Sequence, residues 1–136
     1  MGQIMRDVKI RGAKGERVVK NALFDGGASH SFMHLDICKS IGTVIPFMDE
    51  SGKKITKMVT LADGETKIPA IGTCTFDMKL NEIDIRDEAW VSDKLGREFI
   101  IGADTMQRYG ILLKYAEKEK GGDEIVTNKG EEIAWL

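Results

Sequence analysis

Among the acidic residues Asp25 has the most distinctive setting, closing an apolar run and opening a small-residue loop, Leu23-Phe24-Asp25-Gly26-Gly27-Ala28-Ser29. A carboxylate at the mouth of such a loop can act as a general acid or base, and the paired glycines let a ligand or another chain segment approach the backbone closely. Asp-Gly is also a common turn dipeptide, so an ordinary turn competes with the chemical reading when these residues are taken alone. A second Asp-Gly, Asp63-Gly64, has no Gly-Ala after it. His30, His34 and Cys38 stand at i, i+4 and i+8, a row that would present three zinc ligands along one helix. Ser29 and His30 follow the glycine loop directly and are expected outside any helix, which breaks the row; exposed or packing histidines are the favoured reading, and no metal is expected. The chain has no G-x-S-x-G elbow and no Walker loop, and its 2 histidines leave few ways to activate a Ser or Cys nucleophile. Cys38 and Cys74 form no CxxC pair and read as two small buried hydrophobes, without a redox motif or a disulfide framework.

The elements that must position Asp25 read as strands. Fifteen glycines, two prolines and many short apolar segments predict an all-β domain with frequent tight turns. Residues 7–11 and 17–24 flank the turn-like tetrapeptide Ala13-Lys14-Gly15-Glu16 and predict a hairpin whose second strand delivers Asp25. Residues 55–71 predict a long hairpin tipped by Asp63-Gly64, with Lys, Thr and Glu on its arms suggesting a projecting ribbon. In 73–92, Phe76, Met78 and Leu80 alternate with polar residues, as do Ile83 and Ile85, predicting a half-buried antiparallel pair turning at Asn81-Glu82. Phe99-Ile100-Ile101 reads as an interior strand, followed by a helix of about two turns with a capping Asp104 and a terminating Gly110. A second short helix is expected within 33–41, stopped by Gly42. The charge run 117–120 and the Gly121-Gly122 turn predict a solvated loop, followed by strand-like segments at 125–127 and 133–136.

Length and charge narrow the classes. A chain of 136 residues leaves room for one real core and no second domain. Lys and Arg number 20 against 22 Asp and Glu, a net charge of −2, so the blanket positive charge of non-specific phosphate binding is absent and no nucleic-acid partner is expected. No apolar run approaches the roughly 20 residues that span a bilayer, so no membrane is expected either. The opening MGQIMRDVKIRG lacks an uninterrupted apolar stretch and a small-residue cleavage site, which predicts a cytoplasmic location.

Three blocks read in order weaken the ordinary-turn reading: NALFDGGASHSFMHLDICKSIG at 21–42, VTLADGETKIPAIG at 59–72 and EFIIGADTMQRYG at 98–110. Together they resemble the retropepsin-like aspartic proteases, the family of retroviral and retrotransposon proteases and their cellular relatives, over roughly residues 17–115. The resemblance implies a single-lobed, acid-protease-type closed β-barrel with a flap hairpin and one or two short helices, occupying 1–136 with an added hairpin or dimer strand at 116–136. It implies an aspartic endopeptidase with Asp25 as the catalytic residue. Gly26, Gly27, Ala28, Ile101 and Gly102 would support the active-site loop. Gly27, Ser29 and the flap residues Ala62, Asp63 and Gly64 would hold an extended peptide or protein substrate, without a cofactor. Peptide hydrolysis by this chemistry needs two carboxylates sharing one proton. At ~3 Å two ionised carboxylates repel by about 5 kcal/mol at an effective dielectric of 20, so such a pair titrates as a unit. One Asp-Gly-Gly-Ala loop supplies half of that pair, which implies a C2 homodimer with Asp25 from each subunit on the axis.

The sequence departs from the family pattern at Gly26, where the resemblance leads one to expect a Thr or Ser whose hydroxyl bonds across the dimer. Glycine loses that bond and adds backbone freedom costing on the order of 0.5 to 1 kcal/mol relative to alanine. An alternative is therefore a catalytically impaired retropepsin-like domain that dimerises or binds extended peptides. A third reading is an unrelated small β-barrel binding module.

Overall fold

A computed structural model of the chain describes residues 3–61, 63–115 and 123–136. In chain order it runs β1 (Gln3–Gly12), β2 (Gly15–Asp25), β3 (Phe32–His34), α1 (Leu35–Ile41), β4 (Ile45–Pro46), β5 (Lys57–Thr60), β6 (Lys67–Ala70), β7 (Gly72–Leu80), β8 (Ile83–Ser92), β9 (Phe99–Ile101), α2 (Ala103–Tyr109), β10 (Ile111–Lys114) and β11 (Glu124–Thr127). The hydrogen-bonded order β1-β2-β9-β3-β8-β7 returns to β1, where Ile10 lies opposite Met78 and Arg11 opposite Asp77. Six strands thus close a barrel, with β4 as a short addition on β7. Closure leaves these six strands few open edges for other chains to pair with.

The expected hairpins form. β7 alternates strictly, burying Gly72, Cys74, Phe76, Met78 and Leu80, and turns into β8 at Asn81, whose φ of 53° suits an Asn in a tight hairpin. The β1–β2 register slips between Arg6 and Val8, with Asn21 at φ 54° on the opposing strand and its N–H donating to the Asp7 carboxylate at 2.9 Å. This bulge sits just before the segment that carries Asp25, and bulges of this kind bend and twist a strand.

The ends of β2 and β8, with β3 and β9, are packed on both sides. Phe24, Met33, Val91, Phe99 and Ile101 fill the barrel, while Leu23, Phe32, Ile100 and Trp90 join a second apolar cluster with Ala28, Ile68 and Leu95. Parallel pairing holds them there: Leu23 opposite Ile100 and Phe24 opposite Ile101 between β2 and β9, and Phe32 opposite Trp90 between β3 and β8. Strands buried on both faces read as continuous apolar runs, as Phe99-Ile100-Ile101 does.

Both helices occur where expected. At α1 the His34 ring accepts the Asp36 N–H at 3.0 Å, and the Gly42 N–H closes the last turn on the Cys38 carbonyl at 2.7 Å. At α2 the expected cap is corrected: Gly102 is the capping residue and has no side chain to contribute, while Asp104 lies inside the first turn and accepts its neighbour's N–H, from Thr105, at 2.7 Å. Gly110 ends α2 in the left-handed region at φ 67°.

The β5–β6 ribbon projects less than its polar arms suggest. Lys57, Met58, Thr60 and Lys67 face outward, but Ile68 and Ala70 are buried and Val59 and Leu61 pack on the second cluster. In the tail, β11 pairs antiparallel with β10; the predicted loop at 117–122 lies outside the described residues. The strand expected at 133–136 does not form. The Asn81 side chain instead takes the Ala134 N–H at 2.8 Å and donates to the Glu132 carbonyl at 2.6 Å, replacing a ladder partner, and Trp135 packs edge-on to Phe24 at 5.6 Å. No described helix is long and apolar enough to cross a membrane.

Candidate active site

Asp25 is the last residue of β2, and period two places it on the same side of the strand as Leu23, opposite Phe24. It is 4 % exposed, yet its side lines a cleft of about 360 Å³. Leu23, Phe32 and Ile100 give that cleft an apolar floor, Gly27, Ala28 and Ser29 form one rim, Thr60, Leu61 and Asp63 overhang it from the β5–β6 hairpin, and Leu95, Gly96 and Arg97 form a further wall. The Gly27 N–H donates to Asp25 Oδ1 at 2.8 Å, the Gln3 side-chain amide reaches Oδ2 at 3.5 Å, and the Ala28 N–H returns to the Asp25 carbonyl at 3.2 Å. The carboxylate is thus held within its own loop and faces a partly apolar recess.

Beneath the loop runs a buried chain of hydroxyls. The Gly102 N–H donates to Ser31 Oγ at 3.0 Å, Ser31 Oγ lies 2.7 Å from Thr105 Oγ1, and Thr105 Oγ1 donates to Asp87 Oδ2 at 2.8 Å. Because Thr105 gives its proton to the carboxylate, Ser31 must donate to Thr105, so the chain has one direction. Arg108 closes it on Asp87 Oδ1 at 2.6 Å. Two more backbone bonds, Ala103 N–H to the Ala28 carbonyl at 2.7 Å and Asp104 N–H to the Ser29 carbonyl at 3.3 Å, tie α2 to the same loop. Gly102 has no room for a side chain: a Cβ there would lie 2.3 Å from the His30 carbonyl oxygen and 2.8 Å from that of Ala28. Gly26 differs, since its Cβ would meet only Leu113 Cδ1 at 3.6 Å, an ordinary contact.

At the hairpin tip the Asp63 carboxylate accepts the N–H groups of Glu65 and Thr66 at 2.8 and 2.7 Å and the Thr66 hydroxyl, which together hold its carboxyl below the usual carboxylate value. Gly64 takes φ 78° there. At the hairpin base Lys57 Nζ sits 4.4 Å from the Phe47 ring centre and 5.5 Å from that of Trp90, on which His30 stacks at 4.3 Å.

The structure therefore brings Asp25, Gly27, Ala28, Ser29 and Asp63 to one cleft. Gly26 is exposed beside it, Gly64 is at the hairpin tip, and Ile101 and Gly102 lie behind the loop, buried. Ala62 falls outside the described residues. The His30, His34 and Cys38 row does not assemble: His30 stacks on Trp90, His34 caps α1 and Cys38 is fully buried, and among the described residues no group of three His, Cys, Asp or Glu side chains could hold a metal. Cys38 and Cys74 are both free and buried, and they meet in the core, where hydrogen bonding between them lowers the Cys38 thiol and raises that of Cys74. A larger depression of about 660 Å³ over β1, β7 and β8 is lined by charges of both signs, among them Lys9, Arg11, Asp77 and Asp84, and includes no residue of the Asp25 loop.

A family model described as Ty3 transposon peptidase matches residues 4–129. The chain belongs to that family. Among the 81 matching chains of solved structures, the retroviral protease-like domain of Ddi1 from Leishmania major aligns over 97% of this chain and 94% of its own, with a TM-score of 0.60 and 18% identity. At that identity the likeness is one of fold, and the closed barrel of this Ty3-type peptidase domain is that of a retroviral protease-like domain. No curated protein sequence matches the chain.

Sequence reasoning missed the residues that brace this Ty3-type loop. Ser31 and Thr105 are 74 positions apart and join across the fold. Both stand among polar neighbours, Ser29 and His30 for one and Asp104 and Gln107 for the other, so nothing local marks either as a buried hydroxyl that must find a partner. Gln3, Leu113 and Arg97 carried no local signal.

Proposed function

We propose that this domain is an aspartic endopeptidase that hydrolyses peptide bonds as a homodimer, one Asp25 from each subunit forming the catalytic pair. The observation that carries the reading is the Asp25 carboxylate at the end of β2, held by the Gly27 N–H and facing a cleft overhung by the β5–β6 hairpin. Membership of a peptidase family and a protease-like barrel support it. In this reading one carboxylate takes a proton from the attacking water while the other gives its proton to the scissile carbonyl oxygen. The hairpin acts as a flap that closes over the substrate and excludes water. An extended substrate would place alternate side chains into the apolar floor of Leu23, Phe32 and Ile100. Ile101 and Gly102 support the loop from behind. Gly27, Ser29 and the tip residues Ala62, Asp63 and Gly64 touch the peptide.

Gly26 favours a second reading, a domain of the same fold that dimerises or holds peptides without cutting them. Loss of one hydroxyl from each subunit removes bonds worth roughly 0.5 to 1.5 kcal/mol apiece. A mixture of denatured proteins incubated at pH 4 to 7 with the parent, Asp25→Asn and Gly26→Thr separates the readings. Cleavage by the parent that Asp25→Asn abolishes supports the endopeptidase. Cleavage by Gly26→Thr alone marks a protease disabled at that position, and cleavage that survives Asp25→Asn would overturn the assigned chemistry. Sedimentation tests the dimer separately, and a monomer at high micromolar concentration would count against a preassembled pair.

A further inference from the structure

The cleft that holds Asp25 shares one wall with a neighbouring cavity. Leu95, Gly96 and Arg97 also line a second cavity of about 460 Å³, so this stretch of the β8–β9 loop borders both spaces. Gly96 puts no side chain into either space, and even a Cβ there would meet nothing within 4 Å. The second cavity carries three cations, and two of them are already engaged: Arg17 on Glu98 at 3.5 Å and Lys20 on Asp7 at 3.4 Å. Arg97 is different. Its guanidinium lies 3.4 Å from Met5 Sδ, and among the described residues it has no carboxylate partner. An exposed guanidinium with no carboxylate partner among the described residues thus stands on the wall between the Asp25 cleft and the neighbouring groove.

We infer that Arg97 is a specificity residue that takes a carboxylate of the bound peptide, most directly an Asp or Glu side chain, at a position beyond the apolar floor of the cleft. The inference rests on the peptide-cleaving reading above. An extended chain leaving Asp25 advances about 3.3 Å per residue, so a neighbouring substrate position falls along this wall. The guanidinium presents a planar fork matched to a carboxylate. A phosphate-rich partner fits less well, because it would need several free cations together and the groove's other two are held by Glu98 and Asp7. A chain-terminal carboxylate carries the same chemistry and is separated by the test.

Fluorescence anisotropy with labelled ten-residue peptides of extended apolar sequence provides that test, using the full chain carrying Asp25→Asn so that binding is read without cutting. A single Glu is moved through the peptide and compared with Gln at each position, with amidated and free-acid carboxy termini. Glu is expected to bind about three- to tenfold tighter than Gln at one position, as suits a partly exposed ion pair. The preference should fall in 0.5 M salt, vanish in Arg97→Gln and persist in part in Arg97→Lys. A preference confined to the free-acid terminus assigns the same Arg97 site to a chain end. Equal binding of Glu and Gln peptides everywhere, or a preference that survives Arg97→Gln, overturns the assignment while leaving the protease reading intact. Absence of both peptide binding by this variant and peptide cleavage by the parent overturns the two together.

Discussion

Replacing Ser31 by alanine removes the central link of the chain running from the Gly102 N–H through Ser31 and Thr105 to Asp87. Ser31 and Thr105 are both 0 % exposed, so no water takes the vacated place without rearrangement. The Gly102 N–H is left buried without an acceptor, at a cost of roughly 1 to 3 kcal/mol, and the Ser31–Thr105 bond adds about 0.5 to 1.5 kcal/mol. The expected loss is therefore about 2 to 4 kcal/mol, or ~1 to 2 M in urea midpoint for a slope of about 2 kcal/mol per molar. Thr105→Val keeps the shape but strands the Ser31 proton and one oxygen of Asp87, so a similar loss is expected. Because the two variants share one bond, the double variant should fall short of the sum by about 1 kcal/mol or more. Urea unfolding at one fixed protein concentration measures all four corners of this cycle. A Ser31→Ala loss under about 0.5 kcal/mol, or strict additivity, would show that the hydroxyl chain does not brace the loop.

Gly102→Ala should be far more damaging than its size suggests, because the new Cβ would lie 2.3 Å from the His30 carbonyl oxygen; about 3 kcal/mol of lost stability is expected, read as a lower midpoint in thermal unfolding. The Asp63 carboxyl lies below its ordinary 3.8 chiefly through the Thr66 hydroxyl, with the Thr66 and Glu65 N–H groups adding to it. Its contribution to the hairpin tip is therefore complete above pH 3.8 and lost as pH falls through the lower folded value, so the Glu65 and Thr66 amide shifts should titrate below 3.8 in NMR spectra and stop doing so in Asp63→Asn. Lys57→Met keeps the stem against Phe47 and Trp90 but removes the cation, and should cost about 0.5 to 1 kcal/mol in urea unfolding with altered Trp fluorescence.

Elements governed by local pattern were legible in the sequence. β7 shows its alternation through Phe76, Met78 and Leu80, and Gly42 and Gly110 mark the helix ends, the second in the left-handed region at φ 67°. Asp25 was legible for the same reason, as the residue that interrupts an apolar strand before a glycine loop. What depends on distant partners was not. Nothing near Leu23 says that it pairs with Ile100, and nothing near Asp104 says that Gly102, wedged under two carbonyls, starts the helix instead. The strand expected at 133–136 failed because Asn81, more than 50 positions away, supplies its hydrogen bonds from a side chain.

The two glycines flanking the site make opposite demands, and the contrast bears on the chemistry. Gly102 is dictated by packing, since no side chain fits beneath the His30 and Ala28 carbonyls. Gly26 is dictated by neither space nor conformation: its Cβ would make an ordinary 3.6 Å contact with Leu113, and it is absent from the glycines with positive φ. A Cβ would therefore be accommodated at position 26, so neither close packing nor backbone conformation demands glycine there. The Asp25 carboxylate has bonds within its own chain, from the Gly27 N–H and the Gln3 amide, on a loop pinned to α2 through Ala28, Ser29 and Ser31. Within the chain, positioning of the carboxylate thus comes from its own loop and strand partners. In the proposed dimer that arrangement would let the loop keep its shape before a second subunit arrives, and the strength of dimerisation, more than the shape of the loop, would be the quantity that Gly26 weakens.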